Sequence, residues 1–177
     1  MAMMSGVRPA RRVRRRTDDD TAECVRVLAA VHQCDGYPVN WPDRPGEWLS
    51  QASSQGAWVA ELEGRLVGHI GWSRSGEDDT APGVWSELTG AHRDTTAVVS
   101  RLFVAPQARG HGLGALLVGR AVEEARRHGL HPVLDVVASD TAAVALYERL
   151  GWRRMATVEQ RWSPHRTVPV HCYAAAR

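Results

Sequence analysis

The sequence predicts a single domain of the mixed α/β class. The chain has 177 residues, 44% of them hydrophobic, which is enough material for one well-filled core. Strand-like apolar runs alternate along it with segments whose apolar residues recur at helical spacing. No apolar run approaches the ~20 residues that cross a bilayer, so we expect no membrane contact.

The first third of the chain predicts one strand, two helices and a structured loop. We expect a short strand at residues 13–16 and a helix that is capped at 17–18 and runs to about Gln33. A loop over 35–46, rich in aromatic residues, prolines and glycines, leads to a short helix at 47–52. The residues predicted to bury one face of the first helix are Cys24, Val27, Leu28 and Val31.

A β-hairpin follows. Two strands, at 57–62 and 65–73, are joined by a tight turn at 63–64. Residues 74–94 are polar, contain glycine and are too numerous for a hairpin turn. For this segment we expect a long loop with an extra strand around 84–85.

The second half of the chain predicts strands and helices in alternation, followed by a final hairpin. The central strand is apolar at nearly every position, which is typical of a strand buried on both faces. Asp140 is the predicted cap of the last helix and Gly151 its end. The predicted elements are strands at 97–104, 133–137, 152–162 and 168–173 and helices at 113–128 and 141–150.

The junction between the central strand and the long helix has the composition of a phosphate-binding turn. Gly110, Gly112 and Gly114 allow the backbone to curl with its N–H groups pointing inward, and the helix N-terminus adds partial positive charge. Arg109 adds a cation beside them. The chain contains no lysine, which excludes a nucleoside triphosphate P-loop, and the glycine spacing does not match G-x-G-x-x-G.

Two motifs stand in order along the second half of the chain. The first, Gln/Arg-x-x-Gly-x-Gly/Ala, is matched from Gln107 or Arg109 to Gly114. The second, Asn-x-x-Ala-x-x-x-Tyr-Glu-x-x-Gly-Phe, is matched by Asp140, Ala143, Tyr147, Glu148, Gly151 and Trp152. Together they resemble the acyl-CoA signature and the second signature of the GNAT superfamily of N-acetyltransferases. The resemblance covers roughly residues 12–175 and is strong over 96–155.

The resemblance implies a GNAT fold, with a mixed but mostly antiparallel twisted sheet of about six to seven strands and about four flanking helices. A splayed parallel strand pair would bind acyl-CoA. We expect a basic, disordered tail over residues 1–11 and one domain over 12–177. The implied cofactor is acetyl-CoA, with coenzyme A as product, and the residues implied to bind it are Leu102, Phe103, Val104, Arg109, Gly110, His111, Gly112, Leu113, Gly114, Asp140 and Ala143.

Tyr147 stands where the family's tyrosine faces the departing sulfur. A phenol with an ordinary pKa near 10 can return a proton to a thiolate; the alternative role is that of a buried helix aromatic. For Phe103 and Val104, the alternative to contact with the acyl-CoA arm is a place in the core. Asp140 replaces the family's common asparagine, and its carboxylate would repel phosphate unless it points away.

The general base is not identified by these motifs. The central strand offers no carboxylate over residues 95–101. His69 is the first candidate because an imidazole has an ordinary pKa near 6.5, although a structural histidine in a strand is the alternative. Asp35, Glu87 and His92 are further candidates, and the two carboxylates are equally candidates for binding a cationic acceptor.

Aromatic residues gather on the segments that would form the acceptor side. The chain has seven tryptophans and one phenylalanine. Trp48 and Trp85 lie on these segments, where aromatic side chains either line an acceptor pocket or belong to the core. The candidate substrate-binding residues are Asp35, Tyr37, Trp41, Trp72 and Glu87.

The sequence therefore predicts an acetyl-CoA-dependent N-acetyltransferase. The expected acceptor is the primary amine of a small molecule, such as an amino acid, a polyamine or an antibiotic, with direct transfer in a ternary complex. Transfer to a protein or peptide amine is the first alternative. A non-catalytic acyl-CoA sensor is an alternative of another class.

Composition indicates the partners and the location. Residues 1–16 hold six arginines and no acid, so the rest of the chain carries a net charge of −4, which argues against nucleic acid as a partner. The three cysteines lack the spacing of metal ligands, and we predict no metal. The basic start is not followed by an apolar stretch, so we expect a cytoplasmic protein; arginine without lysine suggests a bacterial source. The resemblance is also compatible with a homodimer formed through the C-terminal strands.

Overall fold

A seven-stranded sheet runs through the centre of the molecule. The computed structural model describes residues 7–51 and 55–177, so the first six residues of the predicted basic tail and the end of the predicted helix at 47–52 lie outside the described residues. The strands are β1 (Arg11–Arg15), β2 (Gly56–Leu62), β3 (Arg65–Arg74), β4 (Thr96–Val104), β5 (His131–Val137), β6 (Arg153–Ser163) and β7 (Arg166–Ala174).

The strand order across the sheet is β1-β2-β3-β4-β5-β7-β6. Only β4 and β5 run parallel among these neighbours, which confirms the predicted mixed, mostly antiparallel sheet. The predicted tail reaches this sheet, because Arg11 pairs with Leu62 and the Glu63 N–H donates to the Ala10 carbonyl at 2.8 Å.

Five α-helices flank the sheet in the described part of the chain, one more than predicted. The predicted apolar stripe of the first helix is confirmed, since all four of its residues are buried. No helix among the described residues is long and apolar enough to cross a membrane. The helices are α1 (Thr21–Asp35), α2 (Pro45–Gln51), α3 (Thr80–Thr89), α4 (Leu113–Arg127) and α5 (Thr141–Arg149).

Helix α3 replaces the extra strand predicted around residues 84–85, and that prediction was wrong. The apolar pair Val84-Trp85 is too short to distinguish a strand from a helix. Tertiary packing decides the outcome, because Ala81 is buried in a cluster with residues of β5 and β7, and Val84 packs against it. Gly90, at φ +72°, ends the helix in the left-handed conformation.

The helices cover both faces of the sheet. Gly68 of β3 faces Leu117 of α4, and a Cβ there would meet that side chain at 3.2 Å. The next residue, His69, faces Arg16, whose guanidinium reaches towards Ser50 of α2. Because successive residues of a strand point to opposite faces, α4 and α2 lie on opposite faces.

Candidate active site

The two parallel strands separate towards their C-terminal ends. β4 pairs with β5 only from Thr96–Val98 to His131–Val133, although β4 continues to Val104 and β5 to Val137. The backbone of β4 beyond Val98 is therefore not paired with β5. This gap has the form predicted for the splayed strand pair.

The glycine turn, residues 109–114, lies directly after β4. Gly110 (φ +82°) and Gly112 (φ +73°) adopt the left-handed conformation that glycine allows. Gly112 caps α4, whose first N–H groups and dipole favour an anion. A Cβ at Gly114 would meet Leu146 of α5 at 3.2 Å, so glycine permits the close approach of α4 and α5.

The Arg109 side chain contacts α1 and β4. It forms an ion pair with Asp35 at the end of α1 and lies 3.4 Å from the Val104 carbonyl oxygen. The hydrogen bond from Arg109 lowers the pKa of Asp35. The structure therefore places Asp35, a predicted acceptor residue, beside the glycine turn rather than on the acceptor side, because α1 ends there.

Two other arginines lie at the glycine turn. A cavity of about 410 Å³ is lined by Arg8, Pro9 and Arg11 together with Gly110, His111 and Gly112. Arg11 Nη1 donates to the His111 carbonyl at 2.7 Å. Neither cation has a local signal in the sequence, because no motif links the start of the chain to a turn a hundred residues later.

Helix α5 packs against the start of α4 and carries Asp140 at its N-terminus and Tyr147 in its second half. Asp140 accepts a hydrogen bond from the Ala143 N–H at 3.1 Å, so its carboxylate serves as the predicted helix cap. Tyr147 is 6% exposed, and its ring lies 5.6 Å from that of Trp152. Burial raises the pKa of Tyr147, with smaller contributions from Tyr37 and Asp140, so the phenol stays protonated at neutral pH.

The residues predicted to contact the acyl-CoA arm differ in the burial of their side chains. Phe103 and Leu113 are buried in the core, which leaves only their backbone for a ligand. Leu102 and Val104 are half-buried and pack against the same core. His111 contributes its carbonyl to the Arg11 contact.

His69 is a structural histidine in this fold. It is fully buried, and its ring stacks on Phe103 at 5.2 Å. Arg16 can only donate, so Nε2 accepts from Arg16 Nη1 at 2.9 Å and Nδ1–H donates to the Arg101 carbonyl at 2.9 Å. Burial lowers the pKa of His69 to about 4. With both nitrogens engaged, His69 cannot reach an amine, and we do not retain it as the base.

The carbonyl that His69 binds belongs to a β-bulge. Ser100 pairs with Gly71 and Phe103 with His69, so Arg101 and Leu102 together oppose one residue of β3. Arg101 has φ +56°, a conformation that costs about 1 kcal/mol or more for a residue with a side chain. Its guanidinium lies 3.7 Å from the centre of the Trp48 ring on α2.

Asp135 of β5 lies on the face of the sheet that α3 covers, because Gln160 links it to Thr80 at the start of α3. Gln160 Nε2 donates to Asp135 Oδ2 at 3.3 Å and to Thr80 Oγ1 at 3.0 Å, and the Trp162 indole donates to Gln160 Oε1 at 3.1 Å. Part of the Asp135 surface is exposed to solvent. Protein atoms nevertheless surround its carboxylate, and this desolvation raises the pKa of Asp135 against the opposing effects of Gln160 and Arg101.

The predicted acceptor residues separate into three groups. Tyr37 is close enough to Arg101 to interact with it electrostatically, and burial raises the pKa of Tyr37 to about 12. Trp72 is fully buried and packs on His128 beside α4, so it lies in the core rather than on the acceptor side. Trp41 and Glu87 are exposed, Trp41 with its ring 5.2 Å from that of His32.

Residues 26–152 match the Acetyltransferase (GNAT) family. The chain belongs to this family of acetyltransferases. The match contains the glycine turn, the bulged strand β4 and helix α5, so the features that form the gap belong to the family's shared domain.

Known proteins resemble this GNAT chain over most of its length. The uncharacterized N-acetyltransferase YjgM of Escherichia coli is 32% identical over 86% of the chain and 88% of that protein. A mycothiol acetyltransferase of Rhodococcus opacus is 30% identical over 82% of the chain. The solved structure of yncA from Salmonella typhimurium, a putative acetyltransferase with its cofactor acetyl-CoA, has a TM-score of 0.67 at 22% identity and covers 93% of this chain and 92% of that chain.

Some relatives are longer than this chain. The match covers 46% of the Rhodococcus protein and 46% of an uncharacterized N-acetyltransferase from Methanocaldococcus jannaschii, so the chain spans about half the length of these two relatives.

Proposed function

We propose that the chain transfers an acetyl group from acetyl-CoA directly to the primary amine of a small molecule. The gap between β4 and β5 carries this proposal, because a phosphate-binding turn lies at one end of it and the charged residues Arg101 and Asp135 lie beside it. When bound, acetyl-CoA supplies an activated acetyl group as a thioester. The yncA structure with acetyl-CoA supports this choice of donor.

The residues at the glycine turn fit such a cofactor. The first N–H groups of α4 and the positive φ angles of Gly110 and Gly112 suit a pyrophosphate. Arg8 and Arg11 place two cations on the cavity beside the turn. The β4 backbone at Leu102–Val104, unpaired with β5, would hold the amide groups of the pantetheine arm.

Tyr147 is the proposed proton donor. Transfer to an ammonium group forms a C–N bond, breaks the C–S bond and releases one proton in all, since the nitrogen loses two protons and the sulfur gains one. A phenol kept protonated by burial suits the donation to sulfur. Of the residues predicted for the acceptor, Tyr37, Trp41 and Glu87 remain, and Tyr37 has the position that fits best because it interacts with Arg101.

The substitution Tyr147→Phe tests the reaction. We expect kcat for thiol release from acetyl-CoA to fall roughly 100-fold or more, the usual share of a positioned acid, while calorimetric affinity for CoA is retained. Tyr173→Phe is the matched control, because it removes a hydroxyl from a ring that lies 6.2 Å from Tyr147. Equal activity of Tyr147→Phe and wild type would exclude the proton-donor role.

The acceptor class requires a panel of amino acids, polyamines, aminoglycosides and short peptides. The Rhodococcus relative, named for a small-molecule product, favours the small amines. Turnover with peptides alone would establish the alternative. Tight acetyl-CoA binding without turnover on any amine would support the sensor and overturn the proposed enzyme.

A further inference from the structure

Arg101 is a half-buried cation that has no ion-pair partner in the described part of the protein. Its Nε is buried without a hydrogen-bond partner, and it forms no ion pair among residues 7–51 and 55–177. Arg93 also has a buried Nε without a partner, but its Nη2 donates to the carbonyls of Gly76 and Asp79 at 2.8 Å each. An unpaired, half-buried guanidinium costs free energy that a bound anion would recover.

The fold holds Arg101 in place. The residue occupies the left-handed region inside the β4 bulge, and His69 binds its carbonyl from the buried side. The Trp48 ring supports the guanidinium from α2. A strained backbone that neighbouring groups maintain in this way is typical of functional sites, because it orients a side chain before a ligand arrives.

Two carboxylates, Asp135 on the neighbouring strand and Asp79 next to α3, interact electrostatically with this cation. Asp79 Oδ2 already accepts a hydrogen bond from the Gly76 N–H at 2.6 Å. Asp135 and Arg101 interact, since each affects the pKa of the other, yet the described residues show no ion pair between them. Gln160 orients Asp135 through a hydrogen bond. Arg101 and Asp135 both lie beyond Val98 and Val133, the last residues at which β4 and β5 pair, so the two opposite charges flank the β4–β5 gap. Because they form no ion pair with each other, they match a ligand that carries both charges.

We propose that the acceptor is a zwitterionic amino acid whose carboxylate binds Arg101 and whose ammonium binds Asp135. This inference rests on the proposed function and narrows its acceptor class. An α-amino acid carries the two charged groups on the same carbon atom, whereas a polyamine has no anion for Arg101. A peptide N-terminus has an amide where the free amino acid has its carboxylate.

Matched acceptors test the proposal in the wild-type enzyme. Thiol release from acetyl-CoA is measured with each primary-amine amino acid, with its decarboxylated amine and with its α-carboxamide. We expect kcat/KM for the best amino acid to exceed that of its two matched amines by about 100-fold or more, because a half-buried cation disfavours a ligand that leaves it unpaired. Equal rates within a matched set would overturn the amino acid assignment and leave the proposed acetyltransferase standing.

Variants connect this preference to Arg101. Arg101→Gln should remove the preference for the carboxylate, so that the amino acid and its decarboxylated amine react at similar rates, while Arg101→Lys should recover part of it. Arg153→Gln, which removes an exposed charge at the start of β6, is the matched control. Unchanged discrimination in a folded Arg101→Gln protein would exclude Arg101 as the carboxylate partner.

Direct binding separates this inference from catalysis. Calorimetric titration of the best amino acid into the enzyme with CoA should show binding that Asp135→Asn and Arg101→Gln each weaken at least 10-fold. Amino acid binding without turnover would retain the site and overturn the acetyltransferase function. If no amino acid binds or reacts while another amine does, the amino acid assignment is wrong and the proposed acetyltransferase function stands.

Discussion

The glycine turn and the Arg101 site approach the same gap but are built differently. The turn is one continuous segment, residues 109–114, whose conformation depends on glycines at positive φ and on the start of α4. The Arg101 site combines a bulge in β4, Asp135 of β5, Gln160 of β6 and Trp48 of α2.

This difference separates what a backbone can bind from what side chains must bind. Amide N–H groups at a helix start bind phosphate whatever the rest of the ligand is, so a short segment is sufficient. An acceptor is distinguished by its charges and shape, which need side chains from several elements. We therefore expect changes at the turn to affect the cofactor and changes near the bulge to affect the acceptor.

The largest expected effect is the pH dependence that His69 gives to the free energy of unfolding. The pKa of His69 is lowered to about 4, below the unfolded value near 6.5, so the unfolded chain binds a proton that the native state does not. The stability from neutral His69 is complete above pH 6.5 and is lost as the pH falls, by about 2 kcal/mol between pH 7 and 5. Urea denaturation at pH 7 and pH 5 measures the free energy of unfolding of wild type and His69→Gln. The loss attributed to His69 should be present in wild type and absent from the variant.

His165→Gln is the control, since His165 is exposed at the turn between β6 and β7. It should follow wild type at every pH. His69→Gln should also raise KM for the acceptor while KM for acetyl-CoA stays within about two-fold, because the histidine supports the Arg101 carbonyl. A rise confined to acetyl-CoA would contradict the separation of the two regions.

A smaller effect is expected from Gly110→Ala in the glycine turn. No neighbouring atom blocks a Cβ there, so the penalty comes from φ +82° alone, at about 1–2 kcal/mol. KM for acetyl-CoA should rise roughly 10-fold and KM for the acceptor should not. Gly119→Ala in α4, also in open space, should instead stabilise the protein by about 0.5–1 kcal/mol, as thermal unfolding would show.

The smallest effect is expected from Arg11→Ala. A partly solvated cation beside a phosphate contributes about 1 kcal/mol, so KM for acetyl-CoA should rise about five-fold. The rise should shrink at high salt, which screens exposed charges. Arg12→Ala, the next residue of β1, is the control; an equal effect of both variants would mean a general charge effect rather than a contact at the turn.

Much of the fold follows from local patterns. The strands β1 to β7, the apolar stripe of α1 and the Asp140 cap depend on residues close in sequence, and the structure has them. The cap predicted at 17–18 belongs instead to a 3-10 turn at Asp18–Asp20, and α1 begins after it at Thr21. The segment at 80–89 was missed because its apolar pair is compatible with a strand or a helix, and packing against β5 and β7 selects the helix.

The site was predicted unevenly for the same reason. Tyr147 and the glycines lie in motifs that are contiguous in sequence. Trp72 and His69 have the composition of site residues, yet both are fully buried once the sheet forms. Arg101 and Asp135 gave no local signal, because a bulge and a strand separation bring them to one side.

The family, the glycine-rich turn and the helix that carries Tyr147 follow from the sequence alone, since each depends on motifs and backbone conformations that a few neighbouring residues specify. Three-dimensional packing was needed to show which cations lie beside the turn, why His69 is not available as a base and where Arg101 points. Side-chain burial and charge pairing depend on contacts between residues far apart in the chain, and these exist only after the sheet and its helices have packed.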